Sequence, residues 1–284
     1  MTEATARDDD IPLSGEAIRI GSEAHKRLFC RMLLDTYDPY RPAVIAWPAL
    51  APDALARLTG LPFWDVALAT EESAGRRMQA LADATDDPLI REAVALNAFE
   101  ERRHKEVLGH MIRFYGIPVE DETPPPPPGD PQWAFMRTGY GECFDSFFAF
   151  GLFALARQSG FFPAPLVEVF EPIIQEEARH NLFFVNWVAY MRAKEHGLAR
   201  WRIDAQRLKA LAVQAWDRLA AAKRADKNFT RTGGEAIGLD LKPRDFLTLC
   251  IAENDRRLAP YDARLLRPRI MPGAARILCR MLPG

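Results

Sequence analysis

Cysteine is scarce in this chain, and its spacing excludes the common sulfur-ligated metal sites. The 284 residues contain no Cys-x-x-Cys pair, and the four cysteines lie far apart, at Cys30, Cys143, Cys250 and Cys279. This spacing argues against a zinc knuckle or a rubredoxin-type iron site and fits reduced thiols in a cytosol. The acidic N-terminal segment lacks the apolar stretch of a signal peptide. We therefore expect a cytoplasmic protein.

Long apolar runs and a strong net charge are missing as well. The most apolar stretch, Phe147 to Ala156, is too short to span a bilayer, which takes about 20 residues. The formal net charge is −2, so the chain as a whole has no electrostatic attraction to nucleic acid or to an anionic membrane. We expect neither as a partner. Hydrophobic residues at 48% and charged residues at 27% match an ordinary globular protein.

Strand-like alternation is not evident, and helical periodicity takes its place. We predict an all-α fold that begins with a helix capped by Ser22 and running to about Asp35, followed by a short helix near 53–59. Four long helices, A to D, are predicted next, at about 63–84, 87–115, 132–158 and from Pro163 or Pro165 to about 196. Two amphipathic helices are predicted after them, at about 203–225 and 243–258.

Proline, glycine and capping residues mark the predicted helix ends. Asp87 can cap helix B with Pro88 at its first position, and Gly160 stops helix C. Pro172 is predicted to kink helix D or to mark its true start. Gly197 is predicted to close that helix.

The prolines between helices B and C predict an extended connection. Residues 116–132 include an uninterrupted run from Pro124 to Pro128, which favours a semi-rigid polyproline II segment that could cross the length of a bundle. The predicted organisation is a disordered leader, an N-terminal helix with packed loops, a four-helix bundle and a C-terminal helical extension, at residues 1–12, 13–62, 63–196 and 197–284.

Helices B and D carry the same pattern, Glu-Glu-x-Arg-His, in a chain with five histidines in all. Residues three apart are neighbours on a helix surface, so Glu101 lies beside His104 and Glu177 beside His180. A carboxylate oxygen and an imidazole nitrogen can then bind one metal ion. Four-helix proteins with two metal ions combine two such pairs with one glutamate from each of the other two helices.

Helices A and C supply the glutamates that this arrangement requires. Glu142 is the one glutamate of helix C, and helix A offers Glu71 or Glu72. Glu71 shares an apolar helix face and is the predicted ligand, with Glu72 as the alternative. The register agrees, because residues 71 and 101 are equally far from the turn at residue 86, and residues 142 and 177 are equally far from the turn at 159–160. The predicted ligands are therefore Glu71, Glu101, His104, Glu142, Glu177 and His180.

At these residues the sequence resembles the ferritin-like diiron-carboxylate superfamily. The doubled motif looks especially like the soluble acyl-carrier-protein desaturases and their oxygenase relatives, and the resemblance covers about residues 63–196. It implies a ferritin-like four-helix bundle with a long B–C crossover and extra terminal helices. It further implies two iron ions, with manganese or a mixed manganese–iron pair as alternatives. Ile173 stands where the three-histidine arylamine oxygenases have histidine, and the missing cysteine set argues against a rubrerythrin-like peroxidase.

The function that the resemblance implies is a non-haem diiron oxidase or oxygenase. Its partners would be dioxygen, an external electron donor and a small, apolar organic substrate. The alternative is an iron- or manganese-binding protein with a ferroxidase or storage role and no organic substrate. The apolar surface of such a bundle is also compatible with a homodimer.

Several other residues allow two interpretations each. Arg103 and Arg179 either pair with Glu100 or Glu176 across the bundle or are surface arginines. Asp145 could be an extra ligand or a proton carrier. The phenylalanines of helix C are favoured as core residues over the wall of a substrate pocket; they are Phe147, Phe148, Phe150 and Phe153. The arginine-rich tail is favoured as a solvated arm that packs on the bundle, over a docking site for an acidic carrier protein or a phosphate-bearing substrate; its arginines are Arg256, Arg257, Arg264, Arg267, Arg269, Arg276 and Arg280.

Overall fold

The computed structural model describes residues 17–120, 125–223 and 242–283, and these residues form helices and loops with no strand. The prediction of an all-α fold is confirmed for this part of the chain. Nine α-helices occur in it: α1 (Glu23–Asp35), α2 (Pro52–Thr59), α3 (Trp64–Asp83), α4 (Pro88–Tyr115), α5 (Pro131–Ser159), α6 (Ala164–Lys194), α7 (Gly197–Lys223), α8 (Pro243–Leu258) and α9 (Ile270–Met281).

The predicted caps form, and they set the turns between the long helices. Ser22 accepts a hydrogen bond from the backbone N–H of His25 at the start of α1. Asp87 accepts from the N–H groups of residues 89 and 90, and Pro88 occupies the first position of α4. Gly160 ends α5 with a φ of 64°, a left-handed conformation that favours glycine. Short connections at these two places make α3–α4 and α5–α6 two antiparallel hairpins.

The two hairpins pack against each other, α3 on α5 and α4 on α6, and the remaining helices surround them. The helix α1 covers α4 and α6, and α7 and α8 lie on α5 and α6. The described residues form three apolar clusters, and the two larger ones include side chains of α3, α4 and α6. One contains Phe29, Met78, Val94, Phe135, Phe183 and Trp187, and the other contains Leu58, Leu68, Met111, Ile112 and Leu166. The helices α3, α4 and α6 contribute to both of these clusters. Between the clusters these helices carry polar side chains, among them Glu71, Glu101, His104 and Glu177, which we call the polar layer.

Helix D begins at Ala164, between the two predicted starts Pro163 and Pro165, and runs through Pro172, so Pro172 does not mark its start. Ile173 and Leu166 on either side of this proline are buried, which offsets the lost hydrogen bond. Two further details of the predicted helices are wrong. Gly197 does not close that helix but opens α7, because its φ of 53° lets the chain turn sharply after residue 194. The helix α9 was not predicted, although Pro272 lies in its first turn, where proline is tolerated.

Some expectations fall on residues that the structure does not describe. The leader at 1–12 lies outside the described residues, and so does part of the proline-rich connection, at 121–124. The end of the helix predicted at about 203–225 lies outside them too, beyond residue 223. In the rest of the chain, no helix combines the length and the apolar character that crossing a membrane requires.

Candidate metal centre

The two Glu-Glu-x-Arg-His motifs meet in the polar layer between the apolar clusters. Nδ1 of His104 lies 3.5 Å from Oε2 of Glu71 and 3.3 Å from Oε1 of Glu177. Nδ1 of His180 lies 2.8 Å from Oε1 of Glu101. The two imidazole rings are 5.8 Å apart. The layer therefore joins side chains of α3, α4 and α6.

Four of the six predicted ligands form one compact group. Glu71, Glu101, His104 and Glu177 each offer an atom, and these atoms all lie within 4.8 Å of one another. His180 adjoins the group through Glu101. Glu142 is buried beside it, close enough for the charges of Glu101 and Glu177 to raise its pKa. Such a group can hold a metal ion.

The alternative ligand of the first long helix points elsewhere. Glu72 lies 3.2 Å from the amine of Lys105, in an ion pair at the edge of the α3–α4 hairpin. Asp145 is also turned away, because its carboxylate is exposed and bonds the guanidinium of Arg218 at 2.6 Å. The structure therefore brings Glu71 into the layer and leaves Glu72 and Asp145 outside it.

In each histidine, the ring nitrogen on the side away from the polar layer contacts the first glutamate of the other motif. Nε2 of His104 lies 2.8 Å from Oε2 of Glu176, and Nε2 of His180 lies 2.8 Å from Oε2 of Glu100. An ionised carboxylate can only accept, so Nε2 carries the proton in each ring. In the neutral ring, Nδ1 then presents its lone pair to the layer. This is the orientation of a metal-binding histidine that an outer carboxylate steadies.

The two motif arginines complete this crossed arrangement. Arg103 donates to Oε1 of Glu176 at 2.5 Å, and Arg179 donates to Oε1 of Glu100. Both arginines are almost completely buried, so the interpretation of surface arginines is wrong. Each of the two outer carboxylates thus binds one histidine and one arginine across the α4–α6 interface.

The segment after α1 fixes these arginines, a role that the sequence did not suggest. Arg103 donates to the backbone carbonyl of Asp38 at 2.6 Å, and Arg179 donates to that of Thr36. The ring of Tyr40 lies 3.8 Å from the guanidinium carbon of Arg103, and its hydroxyl donates to Oε2 of Glu176 at 3.2 Å. No spacing rule connects residues 36–40 to the motifs, because these contacts join positions more than sixty residues apart.

Several buried atoms of the layer have no hydrogen-bond partner. They are Nδ1 of both histidines and Oε1 of Glu101 and Glu142. Nδ1 of His180 and Oε1 of Glu101 are close, but they are not aligned as donor and acceptor. Buried polar atoms are nearly always satisfied in folded proteins. Nε of Arg103 and Nε of Arg179 are unpaired as well, but the four histidine and glutamate atoms are of the types that bind metals and lie in one layer, which fits a bound divalent cation.

The electrostatics of the layer also favour a cation. Burial raises the pKa of Glu71 to about 8. Burial together with the charges of Glu101 and Glu177 holds the pKa of Glu142 well above its usual value. Burial lowers the histidine pKa values, but the surrounding glutamates outweigh it and raise both. The layer thus attracts positive charge, which protons or a metal ion can supply.

The tail and the phenylalanines of α5 are mostly structural. Phe147 and Phe150 are buried in the core, as favoured from the sequence. The prediction of a solvated arm is wrong for Arg257, which is buried and binds Glu171 at 3.2 Å. The tail also contributes α9, which packs on α8 and α5.

A groove of about 550 Å³ lies between α5, α6, α7 and the segment before α9. Its walls are apolar side chains, including Phe144, Phe184 and Val188, and cationic groups from Arg192, Arg200, Arg207, Arg267 and Arg269. Cys143 in its lining follows Glu142 directly, and Phe184 lies one turn after His180.

No protein-family model, curated protein or solved structure matches this chain.

Proposed function

We propose that this chain is a ferritin-like diiron oxidase or oxygenase that uses dioxygen to oxidise a small, apolar organic substrate. The observation that carries the proposal is the crossed pairing of the two motifs, in which each motif's first glutamate holds the other motif's histidine. This pairing turns two imidazole Nδ1 atoms toward glutamates of three helices. Imidazole nitrogen and carboxylate oxygen together suit iron or manganese.

Six side chains would hold the two metal ions: Glu71, Glu101, His104, Glu142, Glu177 and His180. Four carboxylates and two neutral imidazoles balance the charge of two divalent cations. The bound iron pair supplies the redox chemistry by which dioxygen is activated, with electrons from an external donor. Everything else in the proposal concerns what the chain itself contributes.

The chain orients the histidines and keeps protons at defined atoms. Glu100 and Glu176 keep the Nε2 protons of His180 and His104 in place, and the two buried arginines hold those carboxylates. Burial raises the pKa of Tyr40, so its hydroxyl stays protonated and donates to Glu176. These fixed hydrogen bonds limit each ring to one orientation and one tautomer.

The chain also keeps the layer dry and offers space for a substrate nearby. The apolar clusters on both sides of the layer exclude water, which strengthens electrostatic interactions there. The groove beside α5 and α6 is lined by apolar side chains and by five arginines, and it is large enough for a small organic molecule, since binding pockets measure about 300–1,000 Å³. This space favours oxidation of an organic substrate over a storage role.

Metal analysis tests the proposal directly. The wild-type chain, loaded anaerobically with ferrous iron and desalted, should retain about two ions per chain. The Glu101→Ala/Glu177→Ala double variant should retain none, and a matched Glu72→Ala/Glu106→Ala variant, which changes glutamates outside the layer, should bind like wild type. Manganese loading is run in parallel.

The outcomes separate the alternatives. Rapid dioxygen consumption by the loaded wild type with an added electron donor, absent in the double variant, supports an oxidase or oxygenase. Retention of many more than two ions per chain would support storage. Failure of the wild type to retain any metal would contradict the dimetal centre.

A further inference from the structure

The outer face of α7 carries a row of large apolar side chains, which we name the α7 stripe. Its members are Leu198, Trp201, Leu208, Trp216 and Leu219, with Ala205 and Ala212 between them. Trp201 and Trp216 are 69% and 72% exposed, and the three leucines are exposed to a similar degree or more. The intervals of three and four residues place the row on one helix face, with the exposed Lys209 at its edge. Exposed apolar surface of this extent marks an interaction site.

The opposite face of α7 already has its partner. Ile203, Ala210 and Gln214 are buried against the rest of the molecule. Gln214 donates to the backbone carbonyl of Arg137 at 2.7 Å, which fixes α7 on α5. The stripe therefore cannot turn inward without breaking this packing, and it faces outward along a helix of 27 residues, which is about 40 Å long.

The stripe has an unusual internal symmetry about the point between residues 208 and 209. Leu198 and Leu219 are equally far from this point, and so are Trp201 and Trp216. Ala205 and Ala212 are equally far from it as well, and Leu208 and Lys209 lie on either side of it. Apart from this central pair, the row reads the same in size and chemistry from either end of the helix. An isologous interface, in which one patch pairs with itself around a two-fold axis, requires this self-complementarity.

We infer that α7 pairs antiparallel with α7 of a second copy of this chain, with the two-fold axis at residues 208 and 209. In this register leucine meets leucine at both ends, tryptophan meets tryptophan, and the alanines let the backbones approach. The inference does not depend on the metal centre.

Area and charge agree with a second copy. Each exposed tryptophan presents on the order of 150 Å², and the leucines extend the stripe toward the roughly 800 Å² per partner of a stable interface. A parallel pair would set Arg202 beside the second copy's Arg202, whereas the antiparallel pair sets it opposite the helix half that carries Asp217. Antiparallel helices also align their dipoles favourably.

The other possible occupants fit less well by their sequence. Residues 1–16 contain two large aliphatic residues, Ile11 and Leu13, and residues 224–241 contain Phe229, Ile237, Leu239 and Leu241. Neither segment repeats the symmetric spacing of the stripe. A second copy supplies the matching row in full.

Sedimentation equilibrium of the full chain tests the association. We expect a dimer whose dissociation constant rises by roughly 100-fold or more in Trp201→Glu, because the symmetric interface contains each substitution twice. The control is Val44→Glu, which adds the same charge at an apolar side chain that is 76% exposed but lies far from α7 in sequence; it should remain dimeric. Circular dichroism and metal content should be unchanged in both variants.

Disulfide cross-linking tests the register, in a Cys279→Ser background that removes the partly exposed tail thiol. Under mild oxidation, a mixture of Ala205→Cys and Ala212→Cys chains should form the cross-linked dimer, while Ala205→Cys alone should not. Cross-linking of Ala205→Cys alone would indicate a parallel pair and overturn the proposed axis.

Two further results would overturn the proposal. One is a wild type that is monomeric at all concentrations with tryptophan fluorescence typical of buried rings, which would mean that another segment of the chain covers the stripe. The other is a dimer that survives Trp201→Glu unchanged, which would place the interface elsewhere.

Discussion

At the scale of single residues, the two nitrogens of each layer histidine have different tasks. In His180, Nε2 lies 2.8 Å from the carboxylate of Glu100, while Nδ1 faces Glu101 without a hydrogen bond. Arg179 donates a hydrogen bond to the same carboxylate, which restricts the side-chain conformations of Glu100 and His180. Burial raises the pKa of Glu100, but the contacts with His180 and Arg179 outweigh burial and lower it to about 2. Glu100 therefore remains an anion over the ordinary pH range.

Replacing this outer carboxylate should weaken metal binding although no ligand is removed. Glu100→Gln keeps the size of the side chain but removes the charge that polarises His180, and Glu176→Gln does the same for His104. We expect each variant to bind divalent metal about 10–100-fold more weakly, as is usual for outer partners of ligating histidines. Competition titration with a coloured chelator measures this loss, using cobalt as the probe. Glu106→Gln, an exposed position on α4, serves as the matched control, and an affinity equal to wild type in both outer variants would contradict the assigned role.

At the scale of helices, α5 and α6 are in close contact at Gly139. A methyl group built on this residue would lie 2.2 Å from the ring of Phe184. That ring is buried, with Phe135 and Tyr140 packed edge-on against it at 5.8 and 5.0 Å between centroids. Because Phe184 also lines the groove, this contact sets the distance between the helices on the groove side of the layer.

Gly139→Ala should therefore destabilise the fold, against the usual preference of helices for alanine. Overpacking of a closed core costs about 1–3 kcal/mol in the free energy of unfolding. Gly273→Ala is the control, since open space surrounds a methyl group there, and it should gain about 0.5–1 kcal/mol from helix propensity. Urea unfolding of both variants gives the comparison. Equal stability of Gly139→Ala and wild type would show that α5 and α6 can move apart.

Helices also show which parts of the molecule the sequence could predict. The turns at Asp87 and Gly160 depend on local capping residues. The positions of these turns set the register in which residue 71 lies opposite residue 101 and residue 142 opposite residue 177. The motif spacing then brings the carboxylates and imidazoles into one layer. Contacts such as Arg103 with Asp38 could not be predicted, because they depend on how distant segments pack. The helix α9 was missed because Pro272 and Gly273 resemble helix breakers until the position of the first turn is known.

At the scale of the whole molecule, the polar layer lowers the stability of the metal-free fold, and burial of the apolar clusters on both sides of it must offset this loss. Four carboxylates lie between those clusters, and burial with mutual repulsion holds the pKa of Glu142 well above its usual value. An acid whose pKa is higher in the folded chain than in the unfolded chain holds more protons when folded, over the pH range between the two pKa values. The metal-free fold therefore loses stability as pH rises above the unfolded pKa and up to the folded one.

The effect of Glu142→Gln on the free energy of unfolding should change sign when metal is added. Without metal, the amide removes the cost of the buried acid, so the variant should be more stable than wild type at neutral pH, and this difference should be smaller near pH 4. With metal in excess, wild type gains stability by mass action, about 2.7 kcal/mol at a hundred times the dissociation constant, and the variant, which lacks one carboxylate ligand, should gain much less. Thermal unfolding with chelator and with manganese, at both pH values, measures the four differences. A variant less stable than wild type in chelator at neutral pH would mean that Glu142 stabilises the empty layer, and the view of that layer as a site shaped for cations would then be wrong.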